Sequence, residues 1–189
     1  ITDVTESAPE SALSGPGSWH CVYEVRDQAL ADFNPLPLLL HICMEVPGLR
    51  RRSGEVFTLL SELYSNALEH GVLKLSSEWK KSAEGFSLYY EERMRRLSDT
   101  HGHYIRFTLD HEPLAGAGRL RIRCEDSGQG FAPEVNTMNA PTNSVHEYSG
   151  RGMGILKRLA KEVSICGSGN CVEIVYDWEF PAQGAKSRC

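Results

Sequence analysis

The order of strand-like and helix-like segments is the feature that most limits the folds open to this chain. A strand pattern at 18–25 precedes helical patterns at 35–46 and 53–71, and a charged helical stretch follows within 72–102. Further strand patterns lie in the second half, at 103–112, 119–126, 162–167 and 170–180. Helices and strands do not alternate strictly, as a parallel sheet would require, so we predict an α/β (α+β) two-layer sandwich. We expect its sheet to be mixed and largely antiparallel, with helices covering one face.

Composition favours an ordinary globular domain. With 189 residues, of which 41% are apolar and 24% charged, the chain is long enough to bury one core. A net charge of -5 without a basic stripe argues against nucleic acid or an anionic membrane as a partner. No apolar run reaches the roughly 20 residues needed to cross a bilayer. Six cysteines without a C-x-x-C pair predict reduced thiols and a cytoplasmic location.

The two ends of the chain differ from its middle. Residues 1–17 are acidic and rich in Ser, Pro and Gly, which predicts a flexible linker and a chain cut from a longer parent. We predict a domain at 18–180 that carries a helical insertion at 72–102. Residues 181–189 are then expected to form a C-terminal tail.

The helix predicted at 53–71 carries two polar residues that point to chemistry. Its apolar residues recur at helical spacing, Ser53 is suited to cap its start, and Gly71 is suited to end it. Glu62 and Asn66 are four positions apart and therefore share a face. An Asn side-chain oxygen is a ligand that Mg²⁺ accepts beside phosphates and water. A carboxylate one turn away can take a proton from a hydroxyl.

Two glycine-rich segments border a long loop in the second half. D-S-G-Q-G begins at Asp126, where a strand ends, and G-R-G-M-G begins at Gly150, where a helix starts. Glycines at a helix start let backbone N–H groups approach phosphate oxygens, and an Asp at a strand end can accept a hydrogen bond from adenine. The loop within 127–154 is long enough to close over a ligand. Each segment alone is weak evidence, but their order together predicts a nucleotide site.

The three segments resemble the N, G1 and G2 boxes of the GHKL (Bergerat-fold) ATPase superfamily. The matching stretches are ELYSNALEHG, DSGQGF and GRGMGI, and the likeness covers roughly 18–180. There is no P-loop motif and no G-x-G-x-x-G of Rossmann folds or eukaryotic-type kinases. The chain is most similar to the bacterial anti-sigma-factor serine kinases, although 72–102 exceeds what compact members carry. It resembles the module found after receiver and PP2C-type phosphatase domains in some response regulators.

The resemblance implies a role for each matching residue. Asn66 would ligate Mg²⁺, Glu62 would be the catalytic base, and Asp126 would hold the adenine amino group. The other nucleotide-binding residues would be His70, Gly128, Gly130, Gly150, Arg151, Gly152, Met153 and Gly154. Two alternatives stay open: Arg151 pairs with a phosphate or is a solvated cation, and His70 lies on the phosphate side or packs and caps the helix.

The resemblance further implies an ATP-dependent protein serine/threonine kinase. Its substrate would be a STAS-type anti-sigma antagonist in a partner-switching pathway, with a sigma or anti-sigma factor as the regulated endpoint. Receiver and phosphatase domains would lie upstream in the parent protein.

Three alternative functions can be weighed against this one. A sensor histidine kinase needs a histidine on a helical hairpin, whereas His111 follows a predicted strand. Gyrase, mismatch-repair and chaperone ATPases of the same superfamily need long transducer domains, and the sequence predicts none within 18–180. A nucleotide-dependent anti-sigma or partner-binding module with little or no kinase activity stays open.

An apolar stripe marks the helix predicted within 72–102. It consists of Phe86, Tyr90, Met94 and Leu97. Such a stripe usually packs on the protein's own core. The competing hypothesis is self-association into a homodimer or docking to the upstream domain.

Overall fold

One antiparallel sheet forms the centre of the computed structural model, which describes residues 17–130 and 151–180, without the side chains of Lys81 and Arg151. Its strands are Trp19–Arg26 (β1), Tyr104–Leu114 (β2), Ala117–Asp126 (β3), Glu162–Cys166 (β4) and Cys171–Glu179 (β5). They lie in the order β1-β2-β3-β5-β4, and each neighbouring pair is antiparallel. The predicted fold class is confirmed, with antiparallel pairing throughout these strands.

The helices include a long one, beginning at Ser53, that continues directly into a π-helix. They are Ala29–Asp32 (α1), Leu36–Met44 (α2), Pro47–Arg50 (α3), Ser53–Ser65 (α4), a π-helix at Asn66–Val72, a 3₁₀ helix at Ser77–Lys81, Ala83–Leu97 (α5) and Arg151–Leu159 (α6). The helical segment begins at Ser53 as predicted, but the capping role of Ser53 and the stop at Gly71 are wrong. The Arg52 carbonyl accepts the first helical bond, from the Val56 N–H, so Ser53 is already inside the helix. Gly71 lies within the π-helix because the wider turn continues through it.

Alternation along β3 shows which face of the sheet is covered. Leu120, Ile122 and Cys124 are buried in the core. Arg119 and Arg121 alternate with them and pair across the opposite face with acidic residues of β5, at 2.8 and 2.6 Å. Burial of each large apolar side chain contributes about 1.5–3 kcal/mol, so a slip of one residue would be costly.

The helical insertion turns a different face inward than the stripe indicated. Tyr89 and Leu97 of α5 are buried, whereas Phe86, Tyr90 and Met94 are 47%, 53% and 67% exposed. The prediction that the stripe packs on the core is therefore wrong for its first three residues. Self-association or docking through them stays a prediction.

A disulfide joins Cys166 to Cys171 across the β4–β5 hairpin, with Cα atoms 5.0 Å apart. For this pair the reduced-thiol prediction is wrong. Hairpin register places the two residues directly opposite each other, which their spacing in the sequence does not reveal. Cys21, Cys43 and Cys124 are free thiols.

The predicted domain limits stay predictions. The linker at 1–17, apart from Gly17, and the tail at 181–189 lie outside the described residues. His111 lies within β2 rather than after it. Across 17–130 and 151–180, no helix combines the length and the apolar character needed to cross a membrane.

Candidate functional site

The predicted base and metal ligand lie where α4 changes into the π-helix. The Asn66 N–H bonds to the Glu62 carbonyl, so the two residues are one helical turn apart. Burial of Leu59 and Leu63 fixes the rotation of the helix. Both polar side chains are left half-buried at its edge. π-helical turns are rare and are found frequently at functional sites.

The first turn of α6 lies directly against this pair. A Cβ atom on Gly152 would overlap the Glu62 carboxylate and would lie 3.5 Å from the Asn66 side-chain oxygen. Glycine is therefore required for α6 to approach so closely, and the N box meets the G2 box here. The first N–H groups of a helix have no partner within it and can bind an anion.

Asp126 forms the other end of the site, on the core side of β3. The residue is 7% exposed, and its Oδ1 accepts a hydrogen bond from the Gly128 N–H at 2.7 Å. Burial raises the pKa of the Asp126 carboxyl to about 6, although the Gly128 N–H acts in the opposite direction. A Cβ on Gly71 would overlap this carboxylate, so that glycine creates the space for it.

A small cavity connects the two ends. Asn66 and Asp126 both line it, and Leu63, Cys124 and Val172 supply apolar walls. Apolar walls and one buried carboxylate are the kinds of groups that a flat ring with an exocyclic amine would contact. The N box and Asp126 therefore meet around one cavity. The G2 box joins the same site through the close approach of Gly152 to Glu62.

A metal at this site would need few protein ligands. Within the described part of the chain, no three or more His, Cys, Asp or Glu side chains form a group that could hold a metal ion. The donor chemistry predicted for Mg²⁺ nevertheless fits, because the Asn66 side-chain oxygen lies beside the Glu62 carboxylate and the first turn of α6. Mg²⁺ takes its remaining ligands from phosphates and water.

His70 is engaged by the backbone of its own segment. Its Nδ1 lies 2.8 Å from the Leu75 carbonyl oxygen, which agrees with the packing and capping alternative. A phosphate-side role for His70 stays a prediction.

The remaining glycine-box residues are placed unevenly. Gly130 lies against the Ser168 carbonyl, and Met153 is half-buried against the core. No described atom lies within 4 Å of a Cβ placed on Gly154. Gly150 and the side chain of Arg151 lie outside the described residues, so their predicted roles stay predictions.

Two residues at the Asp126 end escaped the sequence interpretation. The sequence predicts Gly71 only as a helix stop, although its place as the last residue of the N box could have marked it. Asn170 donates its side-chain N–H to the Asp126 carbonyl at 2.8 Å and accepts the Asp126 N–H on its own carbonyl at 2.9 Å. No spacing marks Asn170, because it reaches Asp126 only through the pairing of β3 with β5.

A larger cleft lies at the far end of the sheet but holds none of the predicted site residues. Several of its charged groups are already paired. His20 Nδ1 lies 2.6 Å from the Asp110 carboxylate, and Arg121 lies 2.6 Å from Glu173. The smaller cavity between Asn66 and Asp126 is therefore the candidate site.

Similarity to a known family follows the same segments. Residues 49–176 match the family model described as the histidine kinase-like ATPase domain. The match covers more than half of the chain and includes the α4 helix, Asp126 and α6. Among curated proteins, none matches the chain. This chain therefore belongs to the histidine kinase-like ATPase domain family.

Proposed function

We propose that this nucleotide-binding, ATPase-family chain is an ATP-dependent protein serine/threonine kinase of the anti-sigma-factor type. One observation supports the proposal above others: Glu62 and Asn66 flank Gly152, and the cavity beside Asn66 ends at Asp126. A carboxylate next to both a metal ligand and a phosphate-binding turn is suited to take a proton from an attacking hydroxyl.

Each residue would contribute a separate part of the reaction. Asp126 accepts a hydrogen bond from the adenine amine and orients the base. N–H groups in the first turn of α6 hold phosphate oxygens. Glu62 accepts the hydroxyl proton while the serine oxygen bonds to the γ-phosphorus and the bond to the departing ADP oxygen breaks. Mg²⁺, held by Asn66, would supply neutralisation of the phosphate charge.

The proposed substrate is a STAS-type anti-sigma antagonist. The likeness of all three boxes to the anti-sigma-factor serine kinases supports this choice. A sigma or anti-sigma factor is then the regulated endpoint of a cytoplasmic partner-switching pathway. In a longer parent protein, receiver and phosphatase domains would lie upstream.

Transfer of ³²P from γ-labelled ATP tests the proposal. The purified chain, Mg²⁺ and a Ser-bearing STAS-domain protein from the parent cell are incubated, and the phosphosite is mapped. We expect label on serine with the wild type and with the control Glu84→Ala, which removes an exposed carboxylate of α5. Glu62→Ala should abolish labelling while calorimetry still detects ATP binding.

Two outcomes would contradict the kinase. A partner that binds in an ATP-dependent manner and is never labelled would support the nucleotide-dependent binding module with little or no kinase activity. No heat on titration of ATP and Mg²⁺ into folded protein would contradict both functions.

A further inference from the structure

The helical insertion is tied to the part of the N box that follows Asn66. Glu69 lies in the π-helix, three residues after Asn66, with a side chain only 15% exposed. Lys80 of the 3₁₀ helix donates to the Glu69 carboxylate at 3.0 Å, and Arg93 of α5 lies 3.7 Å from its other oxygen. Two cations from the insertion therefore converge on one carboxylate of the π-helix.

The same insertion also binds the end of the π-helix. Arg96 of α5 donates to the carbonyl of Leu73 at 2.7 Å and to the carbonyl of Lys74 at 2.9 Å. Carbonyls at a helix end have no partner within the helix and need one from outside. Lys80 is itself held, because its ammonium lies 4.2 Å from the ring centre of the buried Tyr89.

These contacts stabilise a turn that is unfavourable by itself. A π-helical turn is rare and is found mostly as a single turn within an α-helix, frequently at functional sites. A largely buried carboxylate would be costly in the folded state without its cationic partners. The insertion supplies both the charges and the end contacts, so it favours the π-helical form of Asn66–Val72.

We propose that Glu69, held by Lys80 and Arg93, is a positioning residue for Asn66. The insertion braces the π-helix and thereby keeps the Asn66 amide oxygen where the Mg²⁺ of a bound nucleotide would need it. This inference rests on the proposed Mg-ATP site. Glu69 acts through the backbone of its helix and touches neither nucleotide nor metal.

The metal dependence of nucleotide affinity tests this brace, by which we mean the contacts of Lys80 and Arg93 with Glu69. Calorimetry measures ATP affinity with saturating Mg²⁺ and with excess chelator, and the ratio of the two is the metal enhancement. We expect the enhancement to fall about tenfold in Glu69→Gln and in the double variant Lys80→Ala, Arg93→Ala. Affinity without metal should stay near the wild-type value, because the Asp126 end is unchanged.

Two matched variants control for general damage to the insertion. Arg95→Ala removes a cation from the same helix, but Arg95 is 67% exposed and pairs only with Glu92 among the described contacts, so the enhancement should be unchanged. Lys80→Arg retains a cation near Glu69, so this variant should keep most of the metal enhancement that the double variant loses.

Hydrogen exchange of the nucleotide-free protein gives a readout independent of ATP. Amides at 67–75 should exchange faster in Glu69→Gln and in the double variant than in the wild type or Arg95→Ala. Circular dichroism identifies any variant that fails to fold, and Lys80→Ala alone then replaces it.

Folded variants with wild-type metal enhancement and wild-type exchange at 67–75 would overturn the brace. An equal loss in Arg95→Ala would also overturn it, because the effect would then be general to the helix. A wild type that binds ATP with no metal enhancement contradicts the Asn66 metal site and the brace together. A wild type with enhancement and unaffected variants contradicts the brace alone.

Discussion

The two ends of the candidate site are constructed differently. At the proposed adenine end, Asp126 is 7% exposed, and hydrogen bonds from Gly128 and Asn170 hold its segment. At the proposed phosphate end, Glu62 and Asn66 are half-buried on a helix edge that α6 approaches. A buried, bonded end can select a base, whereas a more open end can admit a protein hydroxyl. Base recognition and phosphoryl transfer should therefore be separable by mutation.

The largest expected effect is at the phosphate end. Glu62→Gln keeps the shape of the side chain but removes the proton acceptor. We expect phosphate transfer to a protein substrate to slow about thousandfold, with ATP affinity within about twofold of the wild type. Single-turnover transfer and calorimetry measure the two quantities. A parallel loss of ATP affinity would show that the two ends are not separable.

At the adenine end, Gly71→Ala should act mainly on binding. The added methyl group overlaps the Asp126 carboxylate and displaces it from the cavity. We expect ATP affinity to fall about hundredfold and the free energy of unfolding to fall by about 1–3 kcal/mol. Gly54→Ala on α4 is the matched control, since no described atom lies within 4 Å of its Cβ. Full ATP affinity in Gly71→Ala would place the base elsewhere.

The buried carboxylate also predicts a pH dependence of stability. A carboxyl whose pKa rises from 3.8 to about 6 on folding contributes stability that is complete below about pH 4 and lost as the pH rises through 6. We expect Asp126→Asn to be more stable than the wild type at pH 8 by about 3 kcal/mol. Urea unfolding should show this gain shrinking toward pH 4. An equal gain in stability at pH 4 and pH 8 would contradict a raised pKa of the Asp126 carboxyl as the cause.

The smallest expected effect concerns the hairpin that holds the Asp126 segment. Cys166 and Cys171 close the turn that carries Asn170, so reducing their disulfide should loosen the adenine end. We expect ATP affinity to fall about threefold, with transfer at saturating ATP unchanged. The double variant Cys166→Ser, Cys171→Ser should have the ATP affinity of the reduced wild type, and adding reductant should not change it. A change in transfer without a change in affinity would contradict the separation of the two ends.

Local patterns predicted much of the fold. Alternation along 119–126 and the helical spacing within 53–71 both correspond to elements at those positions. Sequence also indicated that Glu62 and Asn66 share a face, because four residues make about one helical turn. These features depend on neighbours within a few positions and are therefore readable from the chain itself.

Features that depend on distant contacts were not predictable. The exposed Phe86 and the buried Tyr89 lie on the same helix, and only tertiary packing decided which of them turns inward. Asn170 meets Asp126 through strand register, and Cys166 meets Cys171 in the same way. Neither register nor the rotation of α5 follows from periodicity alone.

By itself, the sequence determined the type of most elements and located the segments that the proposed site combines. Tertiary structure alone decided that Gly71 makes room for Asp126, that Gly152 lies on Glu62, and that the insertion holds Glu69. The physical reason is the distance along the chain over which each kind of interaction acts. Propensity and period act over a few residues, whereas these contacts arise only when segments far apart in the chain bury a common core.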